Sequence, residues 1–439
     1  MSGTPAASGA RGRGLAWLWA LVAGAVLTQT ALNLARPVTS YHLLTLGASD
    51  LAVGLATAAY AVLPLVGAMA LGRATDRMRS AAPLVVGGAL VLAAGGAGLA
   101  LSHTVAAVMA ASAVLGVGHL AFTIAGQAAI ARRAPAERLD AGFGWFTAAY
   151  SLGQLIGPLL TGLLLSSPAG TPTGATATAL WWAAGIAAAG MLPVLLVPDG
   201  RGRASRAASA PVEPDDAPAA VAEAEDAVAE VNASTGAAAP DDPGRATLGA
   251  ILRRPEVAPA MLAALSLLAM LDILTAFLPV VGERYGVSAG WVGLLLALRG
   301  GGSLVSRVML PWVRRRWSRH TLVQVSLLVS AVTIAVVPLG MTTPGWLGLA
   351  AVCMVVGGLS LGLGQPLTMS VISEAVPHAW RSTALAVRLM GNRLGQVVLP
   401  AAAGLLAAPL GPAAAVWGAC AVLAVSGVER VAAARRRRR

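Results

Sequence analysis

The segment GQLIGPLLTG, residues Gly153–Gly162, returns in altered form as GQVVLPAAAG at Gly395–Gly404, 242 residues later. A second pair, GASDLAVGL from Gly47 and GVSAGWVGL from Gly286, is displaced by 239 residues. Helices rich in Gly, Ala and Leu resemble each other by composition. Composition alone, however, does not explain why the glycines and prolines of two segments recur in the same order and at nearly the same distance along the chain. The sequence therefore predicts an internal duplication.

The composition is that of a membrane protein. Of 439 residues, 57% are hydrophobic and 11% charged, with a mean hydropathy of +0.74, whereas soluble chains are about 25% charged. The first apolar stretch, Leu15–Ala35, has no charge and no convincing cleavage site, so we expect a retained membrane helix rather than a signal peptide. Stretches long enough to cross about 30 Å of hydrocarbon predict twelve spans, at residues 15–36, 51–72, 82–102, 104–131, 142–166, 178–197, 257–281, 289–311, 321–340, 345–373, 383–409 and 411–428.

A polar segment divides these spans into two sets of six. Residues 199–250 hold ten acidic residues among Ala, Pro, Gly and Ser, a composition typical of disorder. We therefore predict an N-terminal six-helix bundle at 1–198, a disordered acidic cytoplasmic linker at 199–250 and a C-terminal six-helix bundle with a basic tail at 251–439. A parallel six-plus-six repeat is a known transporter architecture, with the substrate site between the halves at mid-depth.

The distribution of the basic residues indicates the membrane topology. All 31 are arginines, and the formal net charge is +12, but they concentrate in alternate loops, which is the positive-inside pattern of membrane proteins rather than a nucleic-acid footprint. We expect both termini in the cytoplasm and a multi-pass protein of the plasma (inner) membrane, with the lipid bilayer and no nucleic acid as partner. The tail Arg435–Arg439 fits a topology signal or contact with anionic lipid head groups.

The sequence carries no enzymatic signature. It lacks an H-E-x-x-H pair, a phosphate-binding G-x-x-x-x-G-K-[ST] loop and a G-x-S-x-G turn between strand and helix. Cys353 and Cys420 both fall inside predicted spans, so no disulfide framework is expected. We therefore predict that the chain is not an enzyme and needs no metal or cofactor.

The loop after the second span carries a family resemblance. In LGRATDRMRS, Gly72, Asp76 and Arg77 match the G-x-x-x-D-R core of a cytoplasmic signature, and the chain thereby resembles the major facilitator superfamily of transporters. The rest of the signature is degenerate, and the second-half equivalent has Arg315 where Asp76 stands. The resemblance implies an all-α membrane fold of twelve transmembrane helices in two pseudo-symmetric six-helix bundles, working as a monomer.

In that family, these charges gate the cytoplasmic side. The resemblance implies that Asp76 contacts the eleventh helix near Arg381, and that Arg77 reaches acids below the fourth helix, Glu137 or Asp140. Replacing Asp76 by Asn is then expected to stop transport while leaving membrane insertion intact.

The fifth span carries a second, more specific signature. Its run GWFTAAYSLGQLIGPLLTG places Gly144, Gly153, Gly157, Pro158 and Gly162 on the G-x8-G-x3-G-P-x2-G-G pattern of proton-coupled drug antiporters, with Thr161 replacing one glycine. Small residues let membrane helices approach closely, and the resemblance implies that the fifth helix faces the eighth, which carries Gly300, Gly301 and Gly302. Such faces suit two halves that rock against each other, and static packing is the alternative.

Polar residues inside the spans form stripes at helical spacing. Buried polar groups in membranes usually mark a pathway or site, although each residue alone fits an interhelical hydrogen bond equally well. Because the first, fourth, seventh and tenth helices line the cavity in the resembling fold, we predict a polar substrate cavity lined by Gln29, Asn33, Arg36, His119, Thr123, Gln127, Thr275, Arg299, Gln365, Thr368, Arg388 and Asn392.

Asp272 is the one carboxylate outside the linker that falls well inside a span. A low dielectric favours the protonated form of a carboxyl group unless a cation stands nearby, which suits a proton-coupling site. The candidate partners are Arg36, Arg299, Arg388 and Arg393, and a structural ion pair is the alternative role. The arginine excess points to an anionic substrate, whereas snorkelling of Arg36 and Arg393 toward the interface leaves the substrate charge open.

These features predict a secondary transporter that exports a small organic molecule by alternating access in exchange for protons. An uptake permease, whether a symporter or a facilitator, is the alternative within transport. A membrane sensor or scaffold that keeps the fold without moving solute is the alternative outside it, and that protein would not need a titrating Asp272.

Overall fold

The computed structural model describes residues 16–78, 80–134, 138–166, 171–196, 248–254, 256–377 and 380–438, and these residues form helices and no strand. Twelve long apolar helices are present, as predicted. We number them α1 Ala16–Thr45, α2 Asp50–Arg77, α3 Ala82–Ala100, α4 Val105–Arg133, α5 Leu139–Leu165, α6 Pro172–Ala189, α7 Val257–Arg284, α8 Ala289–Val313, α9 Arg319–Thr342, α10 Leu347–Ala375, α11 Arg381–Leu410 and α12 Pro412–Arg438. Short helices cover Leu192–Leu196, Leu248–Leu252 and Pro344–Trp346.

Several helices run further than the hydropathy predicts, and α12, predicted to end at residue 428, continues to Arg438. α1 continues through Pro37 to Thr45, and α2 continues to Arg77, so most of the predicted loop at residues 71–80 is helical. The carbonyls at the end of α2 find a donor in α4, because the Arg132 guanidinium donates hydrogen bonds of 2.9 Å to the Thr75 and Met78 oxygens. Hydropathy marks where the hydrocarbon ends, and satisfied carbonyls allow the helix to extend beyond it.

The two six-helix sets pack in the same way. α1 contacts α5 and α6 as α7 contacts α11 and α12, and α2 contacts α4 as α8 contacts α10. Likewise, α3 contacts α4 and α6 as α9 contacts α10 and α12. The fold is therefore two pseudo-symmetric six-helix bundles, which the repeated segments predict.

The glycines that begin the second repeated segment end equivalent helices. Gly47 has φ of 68° and Gly286 has φ of 69°, a left-handed conformation that glycine adopts without a steric cost. In each case the next N–H returns to the carbonyl five residues earlier, from Ala48 to Leu43 at 3.0 Å and from Val287 to Gly282 at 2.8 Å. These are Schellman ends, and they turn α1 into α2 and α7 into α8.

The halves meet through two equivalent helix pairs. A Cβ built on Gly293 of α8 would come closer than 3.0 Å to the Pro158 carbonyl and to Gly162 of α5. A Cβ on Gly54 of α2 would come as close to the Pro400 carbonyl and to Gly404 of α11. These residues occupy matching positions in the repeated segments, so the duplication supplies both contacts between the bundles.

Candidate functional site

The centre of the molecule contains an ion pair between the halves. The Arg36 Nη2 atom of α1 lies 2.7 Å from the Asp272 Oδ1 atom of α7. The Asp272 side chain is 5% exposed and the Arg36 side chain 17%. Of the four partners proposed from the sequence, the structure selects Arg36. We call this contact the central ion pair.

Polar groups from α11 complete the coordination of Asp272. The Gln396 Nε2 atom donates a 2.8 Å hydrogen bond to Asp272 Oδ2, and Arg393 Nη1 donates a 3.1 Å hydrogen bond to Gln396 Oε1. Each carboxylate oxygen therefore has a donor, one cationic and one neutral. Loss of the Arg36 contact would still leave the carboxyl hydrogen-bonded within its own half.

Arg36 and Asp272 lie nearly one helical turn from equivalent positions in the two halves. Gly47 and Gly286 end α1 and α7 in the same way, and Arg36 precedes Gly47 by the same number of residues as Thr275 precedes Gly286. Arg36 therefore corresponds to Thr275, and Asp272 lies about one turn before Thr275 on α7. The central ion pair thus joins neighbouring positions of the repeat, close to the pseudo-twofold axis.

Aromatic residues of the N-terminal half surround the Arg36 side of the pair. The Arg36 guanidinium lies over the Tyr60 ring at 5.0 Å from its centroid, and the Tyr60 hydroxyl hydrogen-bonds to His119 Nδ1. Tyr150 lies 6.0 Å from His119 and 5.0 Å from Phe146 between ring centroids. We call Tyr60, His119, Phe146 and Tyr150 the aromatic wall.

A second guanidinium lies near the pair without a partner of its own. Arg299 of α8 is 3% exposed, and its Nε and Nη1 atoms have no hydrogen-bond partner among the described residues. Its charge interacts with those of Arg36, Asp272 and Arg307. The structure thus brings the predicted residues Arg36, Asp272 and Arg299 together between the halves.

The other predicted residues of α1 and α4 lie in the N-terminal half. Gln29 and Asn33 are buried where α1 meets α5, and the Asn33 amide donates to the Gln29 carbonyl at 2.8 Å. On α4, Thr123 hydrogen-bonds the Tyr150 hydroxyl at 2.7 Å. Exposure increases along the α4 stripe, from half-buried His119 and Thr123 to exposed Gln127. This direction leads to the end of the molecule where α1 begins, which we call the linker end. Of the predicted linker at 199–250, residues 199–247 lie outside the described residues.

The remaining predicted residues lie in the C-terminal half. Arg388 Nη2 donates to the Gln365 carbonyl at 3.4 Å and to the Thr368 hydroxyl at 3.3 Å, joining α11 to α10. Asn392 is buried one turn further along α11. Thr275 hydrogen-bonds its own helix at the Leu271 carbonyl. These contacts are interhelical or local, the alternative that the stripes left open.

The glycines of the α5 motif face two different neighbours. Gly153 and Gly157 pack on Gln29 and Asn33 of α1, inside their own half, whereas a Cβ built on Gly162 would lie 3.1 Å from the Gly290 Cα of α8. On α8, a Cβ built on Gly300 would lie 2.5 Å from the Gln154 carbonyl oxygen. The motif glycines therefore lie on two sides of α5, because Gly162 lies on another side from Gly153 and Gly157.

Gly144 begins the same motif and has no neighbour within 4 Å of a Cβ built there. It precedes Gly162 by 18 residues, five helical turns, so both lie on the α8 side of α5. α5 and α8 are in contact from Gly162 to Ser151, where Arg307 of α8 donates a 2.8 Å hydrogen bond to the Ser151 hydroxyl. Further toward the linker end, no atom of α8 lies within 4 Å of a Cβ built on Gly144.

The predicted gating residues are only partly visible. Gly72 is helical and Arg77 is exposed at the end of α2. The side chains of Asp76, Asp140 and Arg381, and the whole of Glu137, lie outside the described residues. At the end of α2, the described contact with α4 is made by Arg132, which the sequence analysis did not single out.

Sequence analysis also missed Tyr60, Tyr150 and the role of Gln396. Gln396 corresponds to Gln154 in the repeated segment and lies on the same α11 stripe as Arg388 and Asn392. This pattern could have marked Gln396 as a site residue. No sequence pattern marks the aromatic wall, because its residues come from three separate helices. A small cavity of about 30 Å³ adjoins it, with Arg36, Tyr60 and the Thr39, Thr57 and Ser112 hydroxyls in its lining, room for about one water molecule.

Comparisons with known proteins agree with this architecture. A family model described as Major Facilitator Superfamily matches residues 21–354. No curated protein matches the chain. Solved structures show the same fold: a point mutant of the nucleoside transporter NupG is 13% identical with a TM-score of 0.70, over 95% of this chain and 99% of that one. A D-xylose-proton symporter is 16% identical with a TM-score of 0.68, over 94% and 97%. A peptide transporter POT in complex with sulfate is 18% identical with a TM-score of 0.68, over 96% and 94%.

Proposed function

Because the chain belongs to the major facilitator superfamily, we propose that it is a proton-coupled secondary transporter that moves a small organic molecule by alternating access. The observation that carries the proposal is the central ion pair, buried between two halves that correspond by duplication. Charged groups at membrane depth are costly and mark transport pathways and proton relays. A scaffold whose halves do not move relative to each other has no need of a buried ion pair between them.

Protonation of Asp272 is the step that couples the two halves. A proton on Oδ1 or Oδ2 removes the negative charge that attracts Arg36, while Gln396 keeps its hydrogen bond to the other oxygen. The other charged or titratable groups around Asp272 are Arg299, Tyr60 and, through Gln396, Arg393. Neutralising Asp272 leaves Arg36 without its counter-ion and weakens the contact between α1 and α7.

The linker end is the cytoplasmic side of the proposed transporter, on the evidence of the arginine distribution. In the described conformation the halves touch near Gly162 and separate near Gly144. This geometry corresponds to a state that is closed to the outside and opens toward the cytoplasm. Closure near Gly144 and opening near Gly162 would produce the opposite state.

The direction of transport has two candidates. The glycine and proline pattern of α5 favours export in exchange for protons. The fold likeness to a protein titled D-xylose-proton symporter favours uptake together with protons. In exchange the proton and the substrate compete for the site, whereas in symport they bind together.

Transport assays in sealed vesicles test the proposal. We expect vesicles with the protein, but not matched empty vesicles, to accumulate some of a panel of fluorescent organic acids, amines and neutral compounds when a pH gradient is imposed. Accumulation on the acidic side indicates exchange, and accumulation on the alkaline side indicates symport. Accumulation that is unaffected by collapsing the gradient would contradict proton coupling, and identical uptake in empty vesicles would contradict transport.

A further inference from the structure

Positive charge exceeds negative charge at the centre of the molecule. Among the side chains that the structure describes, Asp272 is the one buried carboxylate, and it pairs with Arg36. Arg299 and Arg393 have no described carboxylate within ion-pair distance. One aspartate therefore faces three guanidinium groups in a buried region.

Arg299 is the clearest case of an unsatisfied cation. It is 3% exposed, and its Nε and Nη1 donors have no partner among the described residues. A buried charge without a counter-ion is strongly unfavourable, and such groups normally pair or bind a ligand. A planar guanidinium with free donors matches the oxygen pair of a carboxylate.

The N-terminal side of the site, which carries the aromatic wall, is rich in aromatic residues for this chain. The chain has four Tyr and four Phe. Tyr60 and Tyr150 flank His119, Phe146 packs on Tyr150, and Phe122 stacks on Phe146. The central ion pair joins this cluster to the C-terminal half, because Arg36 lies over the Tyr60 ring and binds Asp272. His119 also keeps a buried Nε2 atom without a described partner.

We propose that the transported molecule is a small aromatic organic anion, whose charged group binds Arg299 and whose ring packs against the aromatic wall. The proposal rests on the proposed transport function and names its substrate class. A cationic substrate would add to the excess of positive charge. A neutral one would leave the guanidinium of Arg299 unpaired.

Binding of benzoate to the purified full-length protein in detergent tests this substrate class. Benzoate is the minimal aromatic carboxylate, and benzamide and benzylamine carry the same ring with a neutral and a cationic group. At matched ionic strength, we expect benzoate to raise the thermal unfolding midpoint in a saturable manner, because a ligand of the folded state stabilises it. Benzamide and benzylamine are expected to leave the midpoint unchanged.

The variant Arg299→Gln localises the effect. We expect its benzoate affinity to fall at least tenfold, while Arg284→Gln, which removes one charge from the exposed end of α7, responds like the unmodified protein. Without benzoate, Arg299→Gln should unfold no earlier than the unmodified protein, since it removes an uncompensated buried charge. Arg299→Lys keeps the charge without the planar donors and is expected to respond weakly to benzoate.

Three results would overturn the substrate class: equal responses to benzoate and benzamide, no response to benzoate, or a benzoate response that survives in Arg299→Gln. Earlier unfolding of Arg299→Gln without benzoate would assign that arginine a structural role and would also overturn it. These binding measurements need no gradient. Benzoate binding without proton-driven flux would therefore count against the transport function alone, and flux without preference for anions would count against the substrate class alone.

Discussion

The two halves of the molecule share their contacts with each other but differ at the centre. Gly293 with Pro158 and Gly162 on one side, and Gly54 with Pro400 and Gly404 on the other, form the same close approach twice. At the contact between α1 and α7, however, one half supplies Arg36 and the other Asp272. The difference indicates that the duplicated features support movement of the halves, and that the diverged features provide the chemistry.

The largest expected effect comes from removing the charge of Asp272. Asp272→Asn keeps an acceptor for Gln396 but cannot change its charge, so we expect proton-driven flux to fall by about 100-fold or more, the range for loss of an essential proton-transfer group. The measurement is substrate accumulation in vesicles under an imposed pH gradient. Glu283→Gln, at the exposed end of the same helix, is the control and should transport normally. Full pH-driven flux in Asp272→Asn would end the role of Asp272 as proton carrier.

Exchanging the two charges tests whether the central ion pair depends on which half supplies each charge. Arg36→Asp alone places two acids together and removes the direct partner of Asp272, and breaking a buried pair costs about 3–5 kcal/mol. The double variant Arg36→Asp with Asp272→Arg restores the pair with its charges exchanged between the halves. We expect it to recover at least half of that loss in chemical or thermal unfolding. Additive destabilisation in the double variant would show that the environment of each half, not the pair, decides the charge it accepts.

The shared contacts predict equal effects in the two halves. A Cβ at Gly54 or Gly293 would overlap backbone atoms of the other half, and overpacking of this kind costs typically about 1–3 kcal/mol. We therefore expect Gly54→Ala and Gly293→Ala to lower stability by similar amounts and to slow transport. Gly67→Ala, on α2 with nothing within 4 Å of the new Cβ, is the control. A clear loss at only one of the two glycines would contradict the symmetry of the interface.

The sequence predicted the symmetric part of the structure better than the asymmetric part. Repeated segments and apolar lengths gave the twelve helices and the matching of Gly54 with Gly293, because those patterns are local and occur twice. The site depends on contacts between distant helices. Four arginines were candidates for Asp272, and only the packing of α1 on α7 selects Arg36. Tyr60 and Tyr150 carry no sequence pattern at all, since α2, α4 and α5 bring the aromatic wall together only in the folded bundle.

The smallest expected effect on stability tests how the shared interface moves. A side chain at Gly144 meets nothing within 4 Å in the described state, so Gly144→Leu should change the free energy of unfolding by no more than about 0.5–1 kcal/mol, in the favourable direction expected from helix propensity. If α8 approaches α5 at the linker end in the opposite state, the leucine obstructs that approach. Transport should then slow several-fold, and a spin-label distance between the linker ends of α5 and α8 should shift toward the separated state. Gly185→Leu on α6, also exposed and without near neighbours, should leave both measurements unchanged. Normal transport by Gly144→Leu would mean that the halves alternate without closing at this glycine, and that the α5 motif serves packing within the N-terminal half.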